Sequence, residues 1–222
     1  MKTNFLKAIL IIAFTAITTL LEAQEVTQKA DAENIAKAKE WVNSLSLNNP
    51  EKEANVTEVV ALHLTQIRDW HNSHPYTLVP AGINPLDGRP LSELHRQMII
   101  DSTIPSSVHQ NLMDGLRKNL TEEQVALILD KYTIGKVDFT MKAYRLIVPN
   151  ITEKEDQTIY SLLTKAREQA VDYKNMKEIS AIFEIYKTQA EQYLNNNGRN
   201  WRQMYSDYVK KVKAEKEIQK KN

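Results

Sequence analysis

The sequence predicts an all-α protein: a single-domain bundle of about seven to nine helices with one long Pro/Gly-rich loop at residues 75–90. Three observations carry this expectation. Apolar residues recur at three- and four-residue spacing along nearly the whole chain, and no stretch alternates with period two over more than four residues. Among 222 residues there are only 5 Gly and 7 Pro, too few for the turn-rich connections of an all-β fold. Several helix starts also carry their own capping residues, which fix where the periodic segments begin.

Residues 1–24 read as a cleaved secretory signal. Lys2 and Lys7 supply a positive start, Ala8 to Phe14 opens an apolar run that reaches Leu21, and Leu21-Glu22-Ala23 offers a small-residue cleavage site. The uninterrupted apolar core is shorter than the roughly 20 residues a membrane helix needs. The expectation is a periplasmic or secreted protein with no membrane span after signal removal, its single helical domain at residues 25–222. The spacing of Ile35, Ala38, Trp41, Val42 and Leu45 predicts a helix over about 28–46. Asn49 and Pro50 suit the N-cap and first position of the next helix, which runs to about Ser73 and buries Val56, Val60, Ile67 and Trp70.

A helix at Leu91–Ser102 places Glu93, His95, Arg96 and Asp101 on its solvated face. Thr121-Glu122-Glu123-Gln124 and Thr152-Glu153-Lys154-Glu155 are capping boxes, in which threonine and the residue three later satisfy orphan amides reciprocally. Past the first box, Val125, Ile128, Leu129 and Tyr132 form a stripe that Phe139, Ala143 and Leu146 resume beyond a break at Gly135. Ile159, Leu162, Leu163, Ala166 and Ala170 form one later stripe, and Ile179, Ile182, Phe183, Tyr186 and Leu194 another. Gly198 suits a left-handed helix stop, and Trp201, Met204, Tyr205, Tyr208 and Val212 mark the last helix.

Composition excludes several functions. The chain has no cysteine, hence no disulfide, thiolate nucleophile or Cys-bound metal, so an exported domain must be held by packing. Lys and Arg number 29 against 28 Asp and Glu; without residues 1–24 the two balance. Nothing resembles the basic stripe of a nucleic-acid binder, so no nucleic-acid partner is expected. The charge is uneven: residues 210–222 hold six lysines and two glutamates, a local +4, and the rest of the mature chain carries −4. Such lysines suit a helix C-terminus through the macrodipole. The oligomeric state is not legible.

Prolines 75, 80, 85 and 90 and glycines 82 and 88 concentrate in the 75–90 segment. Proline restricts the unfolded chain, so this loop reads as rigid, with a fixed turn at Asn84-Pro85-Leu86-Asp87-Gly88. Long ordered loops are disproportionately functional; the structural alternative is a cap over one end of the bundle. Beside it lies Arg68-Asp69-Trp70-His71-Asn72-Ser73-His74-Pro75-Tyr76. His71 and His74 stand one helical turn apart, but Asp69 falls off their shared face and no HExxH pattern accompanies them. No metal and no cofactor is therefore expected. There is no G-x-S-x-G elbow and no P-loop.

A sugar ring presents an apolar face and a rim of hydroxyls, and asks for an aromatic platform flanked by planar hydrogen-bonding side chains. Arg68, Trp70, His71, His74, Tyr76, Asn84, Asp87 and Arg89 supply one such collection, and Asn197, Arg199 and Trp201 a second. These are the candidate ligand-binding residues, with Trp70 and Trp201 also in phase with the apolar stripes. No catalytic residue can be named.

Ala36-Lys37-Ala38-Lys39-Glu40-Trp41-Val42, the Arg68–Tyr76 run and Val79-Pro80-Ala81-Gly82-Ile83-Asn84-Pro85 resemble the domain of unknown function 3826 family. So do Leu120–Val125, Asp130-Lys131-Tyr132-Thr133, Ile182-Phe183-Glu184-Ile185-Tyr186 and Gly198-Arg199-Asn200-Trp201, collinear from about 35 to 210. The resemblance implies a secreted protein of polysaccharide-degrading Gram-negative bacteria, from a family described as a candidate for sugar binding. It carries over no ligand or catalytic residue. Leu120-Thr121-Glu122-Glu123-Gln124 also looks like the Leu-Thr-x-x-Gln motif of small periplasmic helical chaperones of the Spy type.

The reading that follows is an exported oligosaccharide-binding accessory protein in polysaccharide utilisation, leaning away from an enzyme. A glycan-acting hydrolase or lyase, using His71, His74, Arg89 or Asp87, is the alternative. A client-binding helical chaperone is a further one.

Overall fold

A computed structural model describes residues 30–85 and 88–219. The proposed signal at 1–24 and Asp87 lie outside the described residues. Within them the chain forms nine α-helices and no strand, as the sequence predicts. They are α1 (Ala32–Asn43), α2 (Pro50–Ser73), α3 (Glu93–Asp101), α4 (Ser106–Asn119), α5 (Glu122–Thr133), α6 (Lys136–Ile147), α7 (Glu153–Ala170), α8 (Met176–Asn196) and α9 (Trp201–Gln219).

Local chemistry sets most boundaries. Asn49 accepts from the Lys52 amide with Pro50 opening α2. Both capping boxes close, Thr121 with Gln124 and Thr152 with Glu155. Between α5 and α6 the chain turns through left-handed conformations at Ile134 (φ 54°) and Gly135 (φ 62°). At the end of α8, Gly198 takes φ 83° and the Arg199 amide reaches back to the Leu194 carbonyl at 3.1 Å, a C-cap that glycine permits without strain.

Two apolar clusters fill the bundle. The first gathers Val42, Val60, Leu112, Leu116 and Ile128 from α1, α2, α4 and α5. The second gathers Met141, Tyr144, Leu163, Ile182 and Leu194 from α6, α7 and α8. α4 comes so close to α2 that a Cβ at Gly115 would stand 2.7 Å from a Val59 methyl. α5 and α7 pack across the seam between the clusters, and Arg167, itself 7% exposed, donates to Asp130 there at 2.9 Å.

Three expected faces are corrected. On α6, Phe139 and Leu146 are 75% and 67% exposed; the buried stripe is Val137, Met141, Tyr144 and Ile147. Two apolar stripes share this helix, and only packing chooses between them. On α3, Asp101 is buried rather than solvated. Trp70 on α2 and Trp201 on α9 are each half-buried rather than core, Trp201 packing against the second cluster.

The start of the 75–90 connection is held against α3. Tyr76–Leu78 makes a 3-10 turn, and Ile83 and Pro90 form an isolated antiparallel bridge. The Gly88 amide donates to the Asn84 carbonyl at 2.8 Å, closing the expected turn. Arg96 Nε holds the Val79 carbonyl at 2.8 Å while its guanidinium lies 5.2 Å over the Tyr76 ring, and Gln97 Nε2 donates to the His74 carbonyl at 3.0 Å. None of the helices described is long and apolar enough to cross a membrane.

Candidate functional site

The five residues between α7 and α8 cross the seam. Val171 packs into the first apolar cluster and Tyr173 into the second, which leaves Asp172 between them facing polar partners from α2 and α4. Its Oδ1 stands 3.1 Å from His63 Nε2, and its Oδ2 stands 2.9 Å from His109 Nδ1. An ionised carboxylate only accepts, so both of these imidazole nitrogens carry protons. His63 Nδ1 lies 3.2 Å from the Tyr132 hydroxyl, whose hydrogen a neutral imidazole protonated at Nε2 accepts. Burial raises the Tyr132 phenol well above its ordinary value and keeps it a donor. Burial by itself would raise the Asp172 carboxyl, but the hydrogen bonds from His109 and His63 outweigh it and hold the group below its usual range. The same bond raises His109 against the opposing effect of its burial.

A second array lies two turns further along α2, about 12 Å from the first at 1.5 Å per residue. His71 Nδ1 is 2.8 Å from Asp101 Oδ2 and 3.5 Å from Glu178 Oε1. Both carboxylates are buried, Asp101 at 4% exposure and Glu178 at 1%. Gln97 Nε2 donates to Asp101 Oδ1 at 2.9 Å and Asn175 Nδ2 to Glu178 Oε1 at 2.7 Å. Asn175 is also the N-cap of α8, accepting from the Lys177 and Glu178 amides. Burial raises the Glu178 carboxyl; His71 opposes that shift and Asp101 adds to it.

Asp101, His109 and Asp172 open onto one groove of about 500 Å³, whose rim includes Asp114, Arg117, Glu168 and Gln169. His109 and Asp172 of the first array and Asp101 of the second thus line one carboxylate-rich depression. Junctions between packed units are where ligand sites concentrate.

A second concavity of about 280 Å³ lies between α6, α8 and α9. Tyr144 floors it, 2% exposed, with its hydroxyl donating to the Lys187 carbonyl at 3.2 Å. The Trp201 ring stands 5.1 Å from Tyr144 and 6.0 Å from Tyr205, inclined 29° to the latter. Thr140, Lys187 and Glu191 supply polar groups around these rings. Burial raises the Glu191 carboxyl, and Lys187 moderates that shift. Arg199 fixes the approach to α9: it makes a forked pair with Glu155 at 2.8 Å to each oxygen and donates to the Pro149 and Asn150 carbonyls. That pairing, aided by the Thr152 cap and opposed by burial, holds the Glu155 carboxyl at about 2.

Among the described residues, those singled out in the sequence do not assemble into one site. Glu178 lies in the first turn of α8 and Asn197 follows its end, so the helix separates the His71 region from the Asn197–Trp201 region by about 28 Å. Arg68 is paired with Asp31 and Asp69. Trp70 stacks on His74 at 3.8 Å and donates to the Ile100 carbonyl, so His74 turns to Trp70 rather than to His71. Tyr76 donates to Glu93 at 3.0 Å, and Asn84 and Arg89 hold the loop turn through their backbones. Asn197 caps α8 through the Tyr193 carbonyl. Of the predicted residues that are described, only His71 belongs to the two polar arrays and only Trp201 lines the aromatic cleft.

His63, Asp101, His109, Asp172 and Glu178 were not singled out. One signal was available: His63 sits in phase with Val56, Val60 and Ile67, on the buried stripe of α2. A histidine on such a stripe requires partners, but the sequence does not say which.

A comparison with curated proteins finds no match. A family model described as "Protein of unknown function (DUF3826)" matches residues 31–214, which spans all nine helices but the end of α9. The chain therefore belongs to the DUF3826 family of proteins of unknown function.

Proposed function

We propose that this chain is an exported oligosaccharide-binding accessory protein that seats a sugar ring in the cleft between α6, α8 and α9. The observation that carries the reading is the Trp201–Tyr205 pair, two ring faces inclined by 29° beside Thr140, Lys187 and Glu191. An aromatic face covers the C–H face of a pyranose, and the flanking hydroxyl, ammonium and carboxylate groups serve its hydroxyl rim. The forked Arg199–Glu155 pair supports it by fixing the start of α9, so the platform is set before ligand arrives. Signal-like residues 1–24 support a periplasmic or secreted location.

Titration calorimetry of residues 25–222 against plant and host oligosaccharides, with tryptophan fluorescence followed in parallel, tests this. At least one glycan should bind with a change in fluorescence. Trp201→Ala should weaken that binding by about tenfold or more, the equivalent of about 1.4 kcal/mol of lost stacking. A panel without a single binder, or Trp201→Ala binding as well as the parent, refutes it.

One observation favours a second reading, a hydrolase or lyase at the polar groove. Asp172 orients His109 with its Nδ1 proton fixed, and this imidazole faces the groove. That is the arrangement by which a carboxylate holds a general base or acid in a working tautomer. Incubation with the same glycans should then yield new reducing ends or unsaturated products, and His109→Gln should abolish them. Unchanged glycans after prolonged incubation exclude it.

A further inference from the structure

We infer that His71, Asp101 and Glu178 form a binding site for a divalent transition-metal cation of zinc-like chemistry, at the end of α8 opposite the aromatic cleft. One imidazole nitrogen and two carboxylate oxygens lie within 4.8 Å of one another on three different helices, α2, α3 and α8. Ligand atoms on a tetrahedral zinc ion, with bonds near 2.0–2.1 Å, stand about 3.4 Å apart. The His71–Glu178 separation is 3.5 Å and the His71–Asp101 separation 2.8 Å, so modest side-chain rotation completes the geometry.

The independent observation is Glu178 itself. The residue is 1% exposed, its Oε1 faces His71 and accepts from Asn175, and its Oε2 is buried without a hydrogen-bond partner. A buried carboxylate oxygen without a donor is costly, and a cation removes that cost. Charge agrees: two carboxylates and a neutral imidazole sum to −2, matching a divalent ion. The lone carboxylate beyond one imidazole is what a simple His–Asp pair does not need.

The surroundings fit as well. Gln97 fixes Asp101 through its Oδ1, and Asn175 fixes Glu178 through its Oε1, which is how outer groups orient metal ligands. When the ion binds, the His71 proton moves to the Nε2 tautomer so that Nδ1 presents its lone pair. Asp101 lines the 500 Å³ groove, which gives the ion a route in and leaves room for water or substrate as a further ligand.

The test uses residues 25–222 stripped with a chelator and titrated with zinc by calorimetry, and with cobalt by visible absorption. One ion per chain should bind at micromolar or tighter affinity, the thermal midpoint should rise, and cobalt should show the d–d bands of a four- or five-coordinate site. Glu178→Gln and Asp101→Asn should each weaken zinc binding by about 100-fold or more. Asp172→Asn and His95→Ala should bind like the parent. If Glu178→Gln fails to fold by circular dichroism, Asp101→Asn and His71→Gln decide the matter. The site is refuted if the parent takes up no zinc, if these ligand variants bind unchanged, or if Asp172→Asn alone loses the ion.

Discussion

Asp172→Ala is expected to lower the free energy of unfolding by about 3 kcal/mol, which in a domain of this size lowers the melting temperature by about 10 °C. The cost does not come from the carboxylate's own burial, since its side chain is 19% exposed. It comes from His63, 1% exposed, which would keep a buried N–H with no acceptor, and from His109, which loses the same partner. Asp172→Asn retains one acceptor oxygen and should lose about half as much. Thermal denaturation followed by circular dichroism measures both. A change below about 1 kcal/mol for the alanine variant would show that water replaces the carboxylate at no cost.

The same pair sets a pH signature. The Asp172 carboxyl lies below its ordinary 3.8 in the folded chain, so its contribution is present above that value and is lost as pH falls through the folded one. His109 lies above its ordinary 6.5, so its contribution is complete below 6.5 and is lost as pH rises through its folded value. The pair therefore stabilises most between about pH 4 and 6.5. Glu178 acts with the opposite sign to Asp172: burial raises its carboxyl, so its contribution is complete below the ordinary 4.5 and is lost as pH rises through the folded value. Subtracting the Asp172→Ala profile from the parent isolates the plateau belonging to the pair.

Tyr144→Ala is expected to cost about 3–5 kcal/mol, the range for removing a large aromatic side chain from a core. Tyr144 is 2% exposed, sits in the second apolar cluster, and is also the ring beneath Trp201. Stability and ligand binding should therefore fail together in this variant. Tyr144→Phe separates them: it keeps the ring, loses only the hydroxyl bond to the Lys187 carbonyl, and should cost about 1 kcal/mol. If the aromatic cleft is the sugar site, Tyr144→Phe should bind the same glycan within about twofold of the parent. A stable Tyr144→Ala protein would mean that neighbouring side chains collapse into the space.

Asn49-Pro50, the two threonine capping boxes and Gly198 were legible because each is decided by hydrogen bonds and backbone angles within a few residues of itself. The hydrogen bond that closes Gly88 on Asn84 was legible for the same reason, although the residues that hold the start of the loop, Arg96 and Gln97, belong to α3. The face of α6 was not. Phe139, Ala143 and Leu146 follow helical spacing as well as Val137, Met141 and Tyr144 do, and periodicity ranks them equally.

The candidate sites were less legible still. His63, His109 and Asp172 span more than a hundred residues, and only His63, on the buried stripe of α2, carries a signal in its own neighbourhood. Asp101 has the sequence surroundings of a solvated helix face and becomes buried because α3 packs against α8. Glu178 reads as an ordinary third residue of a capped helix, and is that as well as a partner of His71.

By itself, then, the sequence determined the all-α class, most helix boundaries and the cysteine-free packing on which the domain depends, because propensity, capping and composition act locally. Only the tertiary structure decided which polar side chains meet. It drew His63, His71, Asp101, His109, Asp172 and Glu178 to one seam and held the Trp201 cleft at the far end of α8. Those juxtapositions follow from which apolar faces pack together, a choice made by the whole chain at once.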